Sequence, residues 1–380
     1  MRSFLIIAAL TSCGLQAASA QNSTIALASK PSTNCAQTAF PGHEWKHLSQ
    51  EHLNGWSSPN LAAADRYADS VHDSSFMLVQ CGRVVDAWGE TDKKMTTFSV
   101  RKSLISALYG IYSAEGKIDI NQTLEQAGID DSPSTLTKEE RQARIVDLLR
   151  ARSGVYHSAA FETDFQRKNR PARGSHAPGT FWFYNNWDFN VLGTIFEKKT
   201  GLKIGDAFYR RIAKPTGMQD FRPSDLYYLG DASVSMHPAF MFEMTARDMA
   251  RFGLVYLNQG RWKGRQIIPE AWVEKSTHAN EMIHFGNMAF GGYEYLWWVE
   301  YGGIHLGGAA LPGTYSAEGA GGHMVLVVPS LKVVIVNQFD NEPSAHDPNS
   351  VLAAAQDRHA ISDDALGHLV ELILGAQVNE

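Results

Sequence analysis

One short stretch of the sequence carries residue types that could do nucleophilic chemistry. Ser99 and Lys102 are three residues apart, so a helix beginning here places the lysine one turn from the serine hydroxyl. An amine in that position can take the proton whose removal makes a hydroxyl nucleophilic. A serine at a helix start is also a common N-cap, and the spacing alone does not separate the two interpretations. The apolar residues of the stretch recur with a helical period on another face, at Val100, Leu104, Ala107, Leu108 and Ile111.

A second candidate group is a phenol on a predicted loop. A Pro-Gly turn at 178–179 precedes Tyr184, Asn185 and Asn186, which match the pattern Y-x-N just before a predicted helix. A tyrosine there can point into a cleft and exchange a proton, or it can be a cavity tyrosine bonded to a backbone carbonyl. The same pattern at Tyr256 falls within an amphipathic helix, where we predict a core residue.

A third candidate segment is rich in glycine. Gly319, Ala320, Gly321 and Gly322 precede a strand-like apolar run. Glycines leave backbone N–H groups open to close approach, so this segment could supply an oxyanion hole. A plain glycine-rich turn entering an edge strand is the alternative.

Other chemistries lack a pattern in the sequence. His237, His305 and His323 lie in separate segments, and H-x-x-H, H-E-x-x-H and C-x-x-C are absent, so we predict no metal site. There is no G-x-S-x-G elbow, which leaves a Ser-His-Asp scheme on an α/β-hydrolase without local support, and no Walker or Rossmann glycine pattern. We therefore expect no cofactor. The net charge of -6 offers no basic field for nucleic acid.

Periodicity predicts the elements that must position these groups. An extended run at Thr96 and Thr97 leads into the Ser99 helix, and a hairpin joins 75–80 to 83–88. Further strands are predicted at 295–299, 324–328 and 333–336, and helices at 60–72, 145–149, 189–201, 248–258 and 363–374, with a capped helix start at 135–140.

These elements predict an α+β fold. An antiparallel β-sheet flanked by helices is completed by both termini, and a mostly helical domain is inserted. We predict a sheet domain over 46–112 and 281–380 and a helical domain over 113–280.

The N-terminus reads as a targeting segment. Residues 1–20 combine Arg2, an apolar run and an A-x-A site, which is typical of a signal peptide, and 21–45 read as a flexible leader. A lipobox-like alternative would make Cys13 a lipidated N-terminus, but either route takes the mature chain out of the cytoplasm. Cys35 and Cys81 then form a disulfide or remain two free thiols. We predict no transmembrane segment in the mature chain.

The combined segments resemble the penicillin-recognising serine hydrolases, in particular the class C β-lactamase branch with its carboxylesterases and aminohexanoate-oligomer hydrolases. The resemblance covers about 77–340 and rests on segments 99–103, 178–186, 245–253, 260–269, 295–298 and 319–322.

The resemblance implies a fold of the serine β-lactamase/transpeptidase type and roles for individual residues. Ser99 would be the nucleophile, Lys102 the lysine that helps take its proton, and Tyr184 a general base and then acid. Asn186 would orient the lysine or the substrate amide. The backbone N–H groups of Ser99 and Ala320, with Gly319, would form the oxyanion hole.

One departure bears on the substrate. The family's Lys-Thr-Gly or His-x-Gly is replaced by Ala317, Glu318 and Gly319, so the cation that binds a substrate carboxylate is absent and Glu318 would repel one. We therefore predict a secreted or periplasmic serine hydrolase acting on a small ester, amide or short peptide-like substrate. A β-lactamase or D,D-peptidase and a non-catalytic ligand-binding relative are the alternatives.

Candidates for an aromatic acyl pocket are Phe181, Trp182, Trp187 and Trp298, with core packing expected for at least half.

Overall fold

Helices prevail in the middle of the chain and strands towards its two ends in the computed structural model, which describes residues 35, 38–48, 53, 55–285 and 288–378. The predictions for residues 1–20 and Cys13 lie outside these residues. The helices are α1 Ser58–Ser70, α2 Arg101–Ala114, α3 Leu124–Ala127, α4 Ile145–Leu149, α5 Asp164–Asn169, α6 Asn186–Thr200, α7 Ile204–Phe208, α8 Lys214–Thr216, α9 Ala246–Leu257, α10 Glu270–Thr277, α11 Pro348–Ala355 and α12 Asp363–Gly375. The strands are β1 Ser75–Gln80, β2 Arg83–Gly89, β3 Met95–Thr96, β4 Leu226–Asp231, β5 Ser235–Met244, β6 Arg261–Trp262, β7 Arg265–Gln266, β8 His284–Phe285, β9 Met288–Ala289, β10 Gly292–Glu294, β11 Trp297–Val299, β12 Tyr315–Gly319, β13 His323–Val328 and β14 Val333–Gln338.

The central sheet joins the two ends of the chain. Its seven strands lie in the order β10-β11-β12-β13-β14-β1-β2, and all neighbours are antiparallel. The predicted N-terminal hairpin turns at Cys81 and Gly82, both in the left-handed region, and β1 then pairs with β14. The α+β fold completed by both termini is confirmed.

Helices cover both faces of this sheet. Every residue of β13 and β14 is buried, which explains their uninterrupted apolar runs. On one face α1 and α12 pack with the strands in one hydrophobic core. On the other face α9 lies directly on the sheet, since a Cβ at Gly253 would stand 2.6 Å from Val334.

The predicted Ser99 helix begins with a tighter turn than expected. Phe98–Val100 is a 3₁₀ turn that continues into α2. The polar face of α2 is buried like its apolar face. Its hydroxyl groups find partners in the protein, since Ser103 donates to the Leu296 carbonyl and Ser106 accepts from the Trp272 indole. The face that carries Lys102 is therefore turned towards protein rather than solvent.

The interval 113–280 is not purely helical. β4 and β5 form a hairpin that pairs with β3 in a three-stranded sheet. The predicted helix start at 135–140 is wrong: Thr137 and Glu140 do exchange the hydrogen bonds of a capping box, but only the 3₁₀ turn Glu140–Gln142 follows. The Glu140 carboxylate is also held by Arg173, which fixes this turn to another segment. The division into two domains stays a prediction.

The described end of the predicted leader packs on the rest of the molecule. Cys35 is joined to Cys81 by a disulfide. Of the two alternatives that the sequence left open, a disulfide or two free thiols, the structure contains the disulfide. Ala39 donates its N–H to the Cys81 carbonyl, and buried Arg251 donates to the carbonyls of Gly42 and His43. Residues 38–45 are thus held by specific contacts.

Candidate active site

Ser99 and Lys102 meet as their spacing predicted. Lys102 Nζ lies 2.6 Å from Ser99 Oγ, within hydrogen-bond distance. The Ser99 side chain does not cap a helix, since neither the 3₁₀ turn nor α2 has a side-chain cap. Ser99 is partly exposed while Lys102 is buried, so a substrate can reach the hydroxyl from outside and the amine stands behind it.

The surroundings of Lys102 favour its neutral form. Its Nζ stands 4.7 Å from the centroid of the Tyr184 ring and 4.8 Å from that of Phe189, and within the described chain it has no carboxylate at ion-pair distance. Burial lowers the pKa of Lys102 well below its ordinary value, and the neighbouring charge of Arg101 lowers that pKa further. A buried lysine that loses its proton more readily than a free one can accept a proton from Ser99.

Tyr184 completes this group from the loop that precedes α6. It is buried, stacks on Trp298 at a ring distance of 5.5 Å and packs edge-on against Tyr293. Burial raises the pKa of the Tyr184 phenol above its ordinary value, while the Ser99 hydroxyl and the Arg101 charge lower it in part. The phenol therefore keeps its proton at rest and is within reach of Ser99.

The backbone around Ser99 is strained and closely approached. Phe98 has φ 45°, a left-handed conformation that costs a non-glycine residue about 1–3 kcal/mol. A Cβ at Gly319 would stand 2.4 Å from the Thr97 carbonyl oxygen and 3.2 Å from the Ser99 nitrogen, so only glycine lets the end of β12 lie against this turn. Among the described residues, neither Ser99 N–H nor Ala320 N–H donates to a backbone acceptor.

Asn186 lies at the start of α6 but makes no hydrogen bond to Lys102. Its amide nitrogen donates to the Phe161 carbonyl and to Gln166, and its Oδ1 is buried without a partner among the described residues. Gln166 in turn donates to the Tyr184 carbonyl. Asn186 thus braces the loop that carries Tyr184.

Glu318 lies on β12 beside Gly319, at the end of the strand nearest Ser99. Ser316 Oγ donates to Glu318 Oε1 over 2.5 Å, and the His305 imidazole Nε2 lies 3.0 Å from the same oxygen. Trp298, Gly319 and Glu318 border one cavity of about 150 Å³. The Glu318 carboxylate is therefore held in place close to the turn that carries Ser99.

The four aromatic candidates take different places. Trp187 is fully buried and donates to Asp131, and Phe181 stacks on His176, so both are packing residues. Trp182 packs against Trp298, which alone among these four lines the cavity.

Three residues of the site escaped the sequence motifs. Arg101 is fully buried over the Phe240 ring, with two guanidinium nitrogens that have no partner among the described residues. His305 comes from the segment before β12. Asp188, whose pKa burial raises well above its ordinary value, accepts from Ser153 and Asn185 behind the Tyr184 loop. Arg101 adjoins Lys102 in the sequence and could have been found there, but only the fold brings His305 and Asp188 to the site.

The described part of the chain offers neither a metal site nor a membrane span. Across the described residues, no group of three or more His, Cys, Asp or Glu is placed to hold a metal ion. In the same part of the chain, every helix is too short or too polar to span a bilayer.

The comparisons with known proteins agree on the fold. A solved structure from Bacillus anthracis, provisionally named a 6-aminohexanoate-dimer hydrolase, is 19% identical with a TM-score of 0.60, covering 82% of this chain and 84% of that one. A family VIII carboxylesterase is 15% identical with a TM-score of 0.57, covering 85% of this chain and 99% of that one.

A curated relative from Salmonella typhimurium is provisionally named a D-alanyl-D-alanine carboxypeptidase and is 27% identical over 126 residues. The match covers 28% of this chain and 28% of the relative, so it spans little more than a quarter of that protein. The profile of the beta-lactamase family matches residues 62–357, which is most of the sequence. The chain therefore belongs to the beta-lactamase family.

Proposed function

We propose that this chain is an exported hydrolase that cleaves an ester or amide bond through an acyl-enzyme on Ser99. The observation that carries the proposal is the 2.6 Å contact between Ser99 Oγ and a buried Lys102 amine. A hydroxyl is a weak nucleophile until a neighbour takes its proton, and a lysine can do so only when it is neutral. The contact supports the first requirement, and the burial that lowers the pKa of Lys102 favours the second.

The proton path runs through Lys102 and Tyr184. Ser99 Oγ attacks the carbonyl carbon of the substrate as its proton passes to the lysine amine. The Tyr184 phenol, which reaches the same hydroxyl, donates to the departing amine or alkoxide and is reprotonated from Lys102. Water then attacks the acyl-enzyme with the same two groups acting in reverse.

Backbone N–H groups are proposed to hold the developing oxyanion. Ser99 N–H and Ala320 N–H flank the approach of Gly319 to the serine turn, and neither is used by a backbone acceptor in the described chain. Donors fixed in this way stabilise negative charge more in the transition state than in the substrate.

The third strand favours substrates without a carboxylate. Ala317 is buried and offers no cation, and Glu318 places a negative group beside the cavity. Like charges at short distance in a partly desolvated cleft repel, which disfavours β-lactams and D-alanine-terminated peptides. A β-lactamase or D,D-peptidase remains the second candidate because of the carboxypeptidase name of the Salmonella relative. The intact Ser99, Lys102 and Tyr184 group argues against a ligand-binding protein without catalysis.

Export rests on two observations. Residues 1–20 have the composition of a signal peptide, and the bridge between Cys35 and Cys81 is of a kind that persists in oxidising compartments.

The test uses the purified protein, p-nitrophenyl esters, amides, nitrocefin and a fluorophosphonate probe. We expect a covalent adduct on Ser99, ester or amide turnover, and a loss of at least about 10⁴-fold in kcat for Ser99→Ala. Efficient nitrocefin hydrolysis would move the assignment to the second candidate. A wild-type protein that is neither labelled nor active on any of these substrates would overturn the proposal.

A further inference from the structure

A cavity beside the nucleophile is not used by the proposed chemistry. It holds about 150 Å³, roughly the volume that five water molecules occupy in the liquid. Gly319 and Trp298 form its border with the Ser99 group, and Leu306 and Leu366 add apolar walls. A substrate acylating Ser99 can therefore extend a short chain into it.

The acidic wall of this cavity is fixed in position. Glu318 Oε1 accepts from Ser316, and His305 Nε2 lies 2.7 Å from Ser316 Oγ and 3.0 Å from Glu318 Oε1. Glu318 Oε2 has no partner among the described residues, although the side chain is only 12% exposed. One oxygen is thus anchored, and the other is left for a donor that enters the cavity.

Apart from His305, no basic side chain among the described residues pairs with this carboxylate. The cavity lining within the described residues contains no lysine or arginine, and a second carboxylate, Asp363 at the start of α12, stands on it. His323, fully buried, also lines the cavity, and its Nδ1 has no hydrogen-bond partner among the described residues. The free Glu318 oxygen is therefore an acceptor that is open to a donor from outside.

We infer that the cavity is a subsite for a positively charged ammonium group of the substrate, with Glu318 as the residue that selects it. This inference rests on the proposed function and adds the class of substrate: amines carrying an ester or amide at short distance from the ammonium. An ammonium brings three donors and a charge, which match the free Glu318 oxygen and the neighbouring acceptors. Apolar walls of modest size suit a short alkyl chain.

The experiment compares matched substrates that differ only in charge. In one series the acyl chain of a p-nitroanilide is hexanoyl, 6-ammoniohexanoyl or 5-carboxypentanoyl. In the other the leaving phenol of a hexanoate ester carries a 4-ethyl, 4-ammoniomethyl or 4-carboxyl group. We expect the ammonium substrate of at least one series to exceed its neutral counterpart by about tenfold in kcat/KM.

Variants assign this preference to the carboxylate. Glu318→Gln should bring the ratio of ammonium to neutral substrate to within about twofold of one, because a neutral amide loses the charge attraction. Glu371→Gln, which removes an exposed carboxylate from α12 away from the cavity, should keep the wild-type ratio. Butylammonium and butan-1-ol probe the same subsite without any substitution, and butylammonium should inhibit the wild-type enzyme more strongly than the alcohol does.

The outcomes separate the inference from the proposed function. Equal rates for ammonium and neutral substrates in both series, or an unchanged preference in Glu318→Gln, would overturn the subsite while Ser99 labelling and neutral turnover stand. Absence of both labelling and turnover would instead overturn the proposed function.

Discussion

Two groups of ionisable side chains flank Ser99, and they differ in how the surrounding protein holds them. On the α2 side Lys102 and Arg101 are buried basic side chains without a carboxylate at ion-pair distance in the described chain, and burial lowers the pKa of each. On the β12 side Glu318 is anchored by Ser316 and His305 at the edge of a cavity. The first group is kept short of partners so that a proton can move. The second is held by partners so that a charge stays in place.

The largest expected effect breaks the α2 side alone. Lys102→Met should lower kcat/KM for a neutral ester by about 10³–10⁴-fold, since it removes the group that takes the Ser99 proton. Lys102→Arg should fall equally far, because a guanidinium remains protonated and cannot act as a base. Steady-state kinetics with one ester measure both.

Lys94→Met is the matched control, because that lysine pairs with Asp225 instead of a catalytic group. It should stay within about threefold of wild type. A Lys102→Arg enzyme that keeps a tenth or more of wild-type activity would contradict the role of a neutral lysine.

A smaller effect is expected where the two sides meet. Gly319→Ala places a Cβ 2.4 Å from the Thr97 carbonyl, so the end of β12 must move away from Ser99. We expect kcat to fall by about 10²–10³-fold, the size of losing one oxyanion donor. Gly375→Ala, at a position with open space around it, is the control and should leave kcat unchanged. A Gly319→Ala enzyme with normal kcat would show that this approach does not build the oxyanion hole.

The smallest effect concerns pH. The neutral form of Lys102 is the active base, so kcat/KM should fall as pH drops through the lowered pKa of that lysine. Arg101 disfavours the charged form of Lys102, and removing it in Arg101→Met should raise the Lys102 pKa and move the acidic limb to higher pH by about one unit. Arg101→Lys keeps the charge and should keep the limb in place. If the acidic limb of the pH profile does not move in a folded Arg101→Met enzyme, Arg101 does not influence the pKa of Lys102.

The two sides also differ in how far the sequence predicts them. Ser99 and Lys102 are one helical turn apart, so local spacing was enough to bring them together, and apolar runs were enough for β13 and β14. The contact between His305 and Glu318 depends on the path of the chain before β12, including Leu306 in a left-handed conformation, and no local pattern encodes it.

The same distinction explains the errors elsewhere. Pro238 and several polar residues obscure the strand pattern of β5. The segment forms a strand because it pairs with β3, which is distant in sequence, and with β4, whose own strand pattern is weak. The capping signal at Thr137 was real, but the Arg173 contact of Glu140 ties that turn to another segment, and no α-helix follows.

The central claim is that Ser99 carries the acyl group, and rapid quenching followed by intact mass spectrometry tests it most directly. With a slowly turned-over ester, the wild-type enzyme should gain the mass of one acyl group, and peptide mapping should place it on Ser99. If the ester has a good leaving group, such as p-nitrophenolate, acylation needs little help from a general acid while deacylation still needs the phenol, so Tyr184→Phe should accumulate more of this adduct. Ser99→Ala should show none. Turnover in Ser99→Ala, or an adduct on another residue, would contradict the account.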